Sequence, residues 1–381
     1  MSTDRVRPTG CRQLHITCVI YSLGPGGAER VLTTLTSGWA DDHVVTIVTL
    51  DTSRVDFYPQ HPAVKRVRLD LAARSQNVLS ALLRNIRRVA LLRRTIRDSR
   101  PDIVVSFMDT TNVLSLLAAT GLSIPVVACE RTDPTNPQRQ LGRPWKFLRR
   151  LLYPFAAAVV VQTRAVRIRL KRWRPRIHVL AIANPIPAAL LAIPLQPEIE
   201  TRRKRLVALG RLGKEKGFDL LLSAFASIAA ESPCWDLWIW GEGPERKRLE
   251  AMRAELGLED RVFLPGLTRT PWEEILRGSV FVLPSLREGF PSALLEAMAL
   301  GRASVAFDCD SGPREITLDG RIAALLPSGD VRTLASSLST LMADASARNA
   351  LAIRGLAVRD RYRPELIARV WDELFAKVVQ R

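Results

Sequence analysis

The sequence predicts an α/β protein of two doubly wound, parallel-sheet domains, and three observations carry that expectation. Short apolar runs alternate with amphipathic helical stretches along most of the chain, the pattern of parallel strands joined by crossover helices. At 381 residues the chain exceeds one ordinary core and suits two. A stretch punctuated by Pro185, Pro187, Pro194 and Pro197, "NPIPAALLAIPLQPEIE", separates two rounds of the pattern as a stiff connector near 184–200.

The first half opens on the apolar run "LHITCVIYSL", too short and too mixed with His, Thr, Cys and Ser for a signal peptide. "GPGGAER" follows and leads into the amphipathic "AERVLTTLTSGWA", so strand, glycine turn and helix succeed one another as in a phosphate-holding loop. Further strands read as "HVVTIVTL", "VKRVRLDL", "PDIVVSF", "IPVVACE" and "AAAVVVQT", with a long helix near 77–98. The uncharged run from Thr110 to Cys129 is long enough to cross a membrane, but its Thr, Asn, Ser, Gly and Pro residues mark a buried helix followed by a buried strand.

The second half repeats the grammar with "RLVALGRL", "FDLLLSAFASIAA", "WDLWIWG", "PERKRLEAMRAEL", "RVFLPG", "SVFVLPS", "PSALLEAMAL" and "RASVAFD". The expected domains are 1–185 and 186–362, with a C-terminal helix at 363–381 packing back onto the first. Two such domains are expected to face each other across a cleft at the carboxyl ends of their sheets, with the chemistry on loops just after strands.

Five scattered cysteines without CxxC spacing and only four histidines predict a reduced, cytosolic, metal-poor protein. The net charge of +18 is uneven: residues 1–185 hold 29 Lys+Arg against 12 Asp+Glu, and residues 186–381 hold 27 against 26. An anionic partner for the first half follows, whether nucleic acid, an anionic lipid surface or a pyrophosphate-bearing ligand. Nucleic acid is disfavoured, because the basic stretches lack interleaved stacking aromatics beyond Trp145 and Trp173 and form no known module. A nicotinamide-dependent oxidoreductase is disfavoured too. Glu29 stands where the dinucleotide fingerprint needs glycine or alanine, and Asp51 is a weak ribose acid.

Chemistry concentrates in "PSLREGFPSALLEAMALG". A strand ends near Ser285, Glu288 lies in the following loop, Pro291 and Ser292 supply the helix start and cap, Glu296 falls one turn inside, and Gly301 stops the helix. Backbone N–H groups around Gly289 to Ala293 then favour an anion, and two carboxylates beside them can accept hydrogen bonds from sugar hydroxyls. In "ALGRLGKEKGFDLLLSAF", Arg211 and Lys216 sit in a glycine-bounded loop after another strand, where fixed cations can neutralise a leaving diphosphate.

Together these motifs carry a family resemblance. Glu288 and Glu296, spaced E-x7-E in "EGFPSALLE", follow "GRLGKEKGFD" and the N-terminal "GPGGAER" in the order that resembles retaining glycosyltransferases of the GT-B fold, family 4. "SFMDTTNVLSLLAA", "CERTDP", "VVVQT", "ANPI" and "SGPREI" resemble the branch that builds bacterial surface or lipid-linked glycans. The likeness covers roughly residues 14–375 and implies two Rossmann-like domains. It implies transfer of a hexose or N-acetylhexosamine from a UDP-sugar to a polyprenyl-diphosphate-linked acceptor, with no metal and no other cofactor.

Carried over by position, the resemblance makes Arg211 and Lys216 the clamp on the donor diphosphate. Glu296 resembles the residue on the ribose hydroxyls, and Glu288 the one on the donor sugar, aided by backbone N–H groups of Gly289 and Phe290. The loop from Leu264 to Leu267, with Gly266, flanks the base, and Gly26 and Gly27 approach the diphosphate from the other domain. Many relatives have a histidine after the strand matching "IPVVACE". Here Glu130 and Arg131 stand in "CERTDP", a change shared by "SERNDP"-like sequences. Glu130 orients the acceptor, supports transition-state charge, or caps the next turn. "DCD", Asp308 to Asp310, mimics a metal-binding DxD, but relatives of this type hold no metal there. No carboxylate is placed as a double-displacement nucleophile, so the leaving diphosphate is expected to help deprotonate the acceptor on the same face. A nucleotide-sugar epimerase or a catalytically silent relative is the alternative.

The stretch "GRPWKFLRRLLYPF" places Trp145, Leu148, Leu151, Leu152 and Phe155 on one helical side and Lys146, Arg149 and Arg150 on another, and "RAVRIRLKRWRPR" adds a dense run of cations. A basic amphipathic helix of this kind can lie in an anionic bilayer interface, or simply pack on the sheet. The expectation is a cytoplasmic protein held peripherally at the inner face of the cell membrane.

Overall fold

The computed structural model describes residues 12–51, 56–71, 78–135, 141–196, 203–309 and 311–380. The chain divides into two compact units: Met1–Val161, Arg167–Ile182 and Ala368–Arg381 form the first, and Gln162–Val166 with Ala183–Ile367 the second.

Among the described residues the first unit holds a parallel sheet of β1 (His15–Ile20), β2 (Val44–Thr49), β3 (Lys65–Arg68), β4 (Ile103–Phe107), β5 (Val126–Cys129), β6 (Ala158–Val161) and β7 (Val179–Ala181). Their order across the sheet is β3-β2-β1-β4-β5-β6-β7. The central strands are buried along nearly their whole length, as for "IVVSF" of β4, because helices cover both faces of a parallel sheet. Each Val or Ile so buried contributes about 1.5–3 kcal/mol of transfer free energy. Helix Gly27–Trp39 ends on Trp39, which meets Trp371 and Phe375 of helix Pro364–Val379 edge to face, at centroid distances of 5.2 and 5.3 Å. The C-terminal segment thus completes the core of the first unit.

The second unit repeats the plan with β8 (Lys204–Leu209), β9 (Trp235–Trp240), β10 (Val262–Gly266), β11 (Val280–Leu283), β12 (Ala303–Asp308) and β13 (Ala324–Pro327), all parallel, in the order β10-β9-β8-β11-β12-β13. One face packs helix Phe218–Ile228 through Leu221, Leu222 and Phe225, and the other packs helix Ser292–Ala299 through Leu294, Leu295 and Met298. In each sheet the strand order reverses once, between β1 and β4 and between β8 and β11. The loops that leave two such neighbours turn away in opposite directions and open a crevice at their carboxyl ends. "GPGGAER" follows β1, and "GRLGKEKG" and "LREGFP" follow β8 and β11. Both motif groups therefore stand at switch points.

No helix among the described residues is long and apolar enough to cross a membrane. The Thr110–Cys129 run instead forms helix Asp109–Ala119 and β5.

Candidate active site

In the second unit the loops after β8 and β11 are bonded together. Leu286 N donates to the Glu215 carbonyl at 2.9 Å. Gly217 makes the close approach possible: its φ is +62°, and a Cβ there would stand 2.2 Å from the Pro284 carbonyl oxygen. Across this seam Lys216 Nζ donates to Glu288 Oε1 at 2.6 Å, and both side chains are largely withdrawn from water. Such a charge-assisted bond fixes a cation and a carboxylate at the crevice mouth. Arg211 stands exposed at the head of the same loop.

Behind the loop, Gly289 and Phe290 lead into helix Ser292–Ala299. Phe290 turns its ring into the core, where it meets Tyr362 edge to face at 5.6 Å, so only its backbone can serve a ligand. Ser311 Oγ donates to the carbonyls of Glu288 and Gly289 at 2.8 and 3.1 Å and pins the turn. The expected cap by Ser292 is corrected: Pro291 holds the cap position without a side-chain bond, and Ser292 is the first helical residue, its Oγ accepting from Asn184 Nδ2 at 3.1 Å. The helix start therefore keeps its first-turn N–H groups outside the intrahelical ladder. Glu296, one turn in, is 2% exposed and accepts from the indole N–H of Trp272 at 3.0 Å. Sequence reasoning missed Trp272, because nothing in spacing links a residue of helix Pro271–Leu276 to one of the next helix. Gly266 ends β10 at φ +96°, near the Glu242 carboxylate, and Leu267 beside it is exposed.

At the end of β12, Asp308 is bonded by the Arg314 guanidinium through both carboxylate oxygens, while Asp310 lies outside the described residues. Among the described residues no group of three His, Cys, Asp or Glu side chains is arranged to hold a metal ion.

In the first unit, Gly26 caps helix Gly27–Trp39 and Gly27 is its first residue. A Cβ on Gly26 would stand 2.1 Å from Glu29 Oε2, whereas a Cβ on Gly27 would meet nothing within 4 Å. Glu29 is also in the field of Arg131, whose burial lowers its guanidinium pKa to about 10, with Cys129 and Glu29 opposing the shift. Arg131 lies over the Phe107 ring at 5.6 Å.

Glu130 is wholly buried. Its Oε1 accepts from the Tyr153 hydroxyl at 2.5 Å, and Arg149 Nη1 lies 3.6 Å away. Asn112 extends the network, its Nδ2 donating to the Cys129 carbonyl and the Tyr153 hydroxyl at 3.1 Å each, and Ser106 Oγ donating to its Oδ1 at 2.7 Å. Burial first, and the Glu130 carboxylate second, push the Tyr153 pKa well up, so the phenol stays a donor. These contacts make Glu130 the centre of a buried brace in the first unit. Arg149, placed by the sequence on the cationic side of its helix with Lys146 and Arg150, finds a protein partner: it is 4% exposed and donates to the Pro134 carbonyl at 2.9 Å. The apolar stripe is also displaced, with Phe147, Leu151 and Phe155 exposed at 65, 54 and 76% and Leu148 and Leu152 only partly covered.

Comparisons with known proteins identify the family. The family model described as glycosyl transferases group 1 matches residues 193–357, and the glycosyl transferase 4-like domain matches residues 26–185. The chain is 31% identical over 299 residues to an exopolysaccharide phosphotransferase of Streptomyces coelicolor, a match that covers 76% of this chain and 30% of that protein. Over 367 residues, 96% of this chain and 99% of the relative, it is 25% identical to a Campylobacter jejuni protein. That relative is named the α-1,4-N-acetyl-D-galactosaminyltransferase for GalNAc-α-(1→4)-GalNAc-α-(1→3)-diNAcBac-PP-undecaprenol. Among solved structures, Staphylococcus aureus TarM, in a complex containing UDP, superposes with a TM-score of 0.79 at 14% identity over 95% of this chain and all (100%) of that one. Anabaena HepE with UDP and glucose gives 0.75 at 18% identity over 95% and 99%. Such identities speak for the fold alone. With both half-chain family models matched in order on two parallel-sheet units, the chain belongs to the family 4 glycosyltransferases of the GT-B fold.

Proposed function

We propose that this glycosyltransferase moves a hexose or N-acetylhexosamine, with retention of anomeric configuration, from a UDP-sugar to a polyprenyl-diphosphate-linked glycan in surface polysaccharide or glycoconjugate synthesis. The observation that carries the proposal is the Lys216–Glu288 pair at the switch point of the second sheet, with Glu296 one turn behind. Lys216 and Arg211 offer fixed positive charge to the two phosphates as the sugar leaves, and Glu288 accepts hydrogen bonds from the sugar hydroxyls. Glu296 takes the ribose, Gly289 and Phe290 lend backbone N–H groups, and Gly266 borders the base. Gly26 and Gly27 belong to the diphosphate's surroundings. The leaving oxygen draws the acceptor proton on the same face, and the protein supplies orientation and electrostatics.

No metal enters this mechanism, consistent with the Asp308 carboxylate already bonded by Arg314. The acceptor class is suggested by the activity named for the Campylobacter relative, and the UDP donor by the ligands bound in the TarM and HepE structures. The cationic surplus of the first 185 residues and the exposed Phe147, Leu151 and Phe155 support peripheral attachment to the anionic inner face of the cell membrane.

The test is a product assay with a panel of UDP-sugars and undecaprenyl-diphosphate-linked glycans, run with and without EDTA. The expected result is an α-linked product from an α-linked donor, at an unchanged rate with the chelator. An isomerised nucleotide sugar without glycosidic product would identify an epimerase instead.

A further inference from the structure

We infer that Trp272 is a positioning residue for the donor: its indole N–H orients the Glu296 carboxylate and so sets how strongly the site distinguishes a ribonucleotide from its deoxy counterparts. The inference rests on the proposed role of Glu296 at the ribose.

Trp272 lies on helix Pro271–Leu276, which packs against helix Ser292–Ala299, and its ring leans on the cluster that contains Leu294, Leu295 and Ile316. The ring is thus held by packing, and the N–H it presents has little freedom. From that position Nε1 donates to Glu296 Oε2 at 3.0 Å. Indole nitrogen is a donor only, so the direction of this bond carries no ambiguity, and the carboxylate must be the acceptor. Glu296 is 2% exposed, in surroundings where a carboxylate without hydrogen bonds is costly.

A ribose diol brings two donors and needs acceptor oxygens at defined points. A carboxylate free to rotate about its last torsion meets that need only part of the time, and ordering it costs affinity on each binding event. Tethering Oε2 to a packed ring removes this cost before the nucleotide arrives. The benefit falls on ligands that carry the hydroxyls and is absent for ligands that lack them.

The test compares UDP with 2′,3′-dideoxy-UDP by titration calorimetry on the wild type, Trp272→Phe and Glu296→Ala, with thermal melting as a check of folding. Phenylalanine keeps an aromatic ring and deletes the donor. The wild type is expected to prefer UDP by about tenfold, and Trp272→Phe to reduce that preference to about threefold or less with affinity for the dideoxy nucleotide unchanged. Because the readout is a ratio within one protein, a general loosening of the fold does not imitate it. A wild-type preference that persists in Trp272→Phe while Glu296→Ala abolishes it overturns the role of Trp272 and leaves the ribose role of Glu296 standing. A preference untouched in Glu296→Ala, or missing in the wild type, overturns both.

Discussion

Lys216 Nζ and Glu288 Oε1, from residues 72 positions apart, meet at 2.6 Å where the loops after β8 and β11 join. On the proposed donor role, a diphosphate would draw on the same ammonium that now holds the carboxylate. Glu288→Gln is therefore expected to lose about 100-fold or more in kcat while UDP binds as well as before or slightly tighter, since the amide no longer shares the Lys216 charge. Calorimetry and steady-state kinetics read the two quantities separately, and normal turnover in this variant would remove Glu288 from the donor sugar.

Lys216→Ala works in the opposite sense. It removes the charge proposed to meet the phosphates and leaves a largely buried carboxylate without its cation, so UDP affinity is expected to fall about tenfold or more. Unchanged UDP affinity would place the diphosphate elsewhere.

Gly27 and Gly26 make a matched pair of probes. A methyl group on Gly27 meets no protein atom within 4 Å, so Gly27→Ala is expected to keep its melting temperature within about 2 °C and to lose activity only if a ligand approaches there. Gly26→Ala must displace the Glu29 carboxylate, 2.1 Å from the new carbon, and is expected to perturb the helix start whatever binds. Full activity in Gly27→Ala would remove that glycine from the ligand's path.

The brace around Glu130 gives a stability prediction with a pH signature. Tyr153→Phe deletes the phenol that donates at 2.5 Å to a wholly buried carboxylate, at an expected cost of about 1–3 kcal/mol. The Tyr153 pKa is raised in the folded protein, so its contribution is complete below the ordinary tyrosine range and is lost as pH rises beyond it. Denaturation of the wild type followed from pH 8 to 11 is expected to show an alkaline decline that Tyr153→Phe shares to a smaller degree. An equal decline in both would dissociate it from Tyr153.

Phe147, Leu151 and Phe155 follow one another at helical spacing on the exposed side of their segment. Vesicle flotation is expected to recover the wild type with anionic and not with neutral vesicles, and the double variant Phe147→Ser, Leu151→Ser to bind at least about tenfold more weakly. Equal recovery with both lipid compositions would remove the electrostatic part.

Much of the fold was legible because a parallel sheet writes itself as short apolar runs separated by amphipathic ones, and β1, β4, β8 and β11 fall where those runs do. The E-x7-E spacing was legible for a related reason, since a loop and the first turn of one helix fix the separation of Glu288 and Glu296 locally. The side of a helix that faces the sheet was not. Around Arg143–Leu152 apolar residues occupy two adjoining stripes, and periodicity alone does not choose between Leu148 with Leu152 and Phe147 with Leu151. The partners of Arg149 were illegible for the same reason, because Glu130 and the Pro134 carbonyl are its neighbours only after folding. Trp272 was illegible because its bond to Glu296 joins two helices separated by a strand.

The aromatic contact of Trp39 with Trp371 and Phe375 sets an order of events during synthesis. Most of the first unit is made before the second, yet the patch around Trp39 is closed by residues beyond Ala368, which follow the second unit in the chain. Residues 183–367 form nearly the whole second unit as one continuous segment and have what they need earlier. The first unit thus keeps an unsealed tryptophan face while the whole of the second is being made.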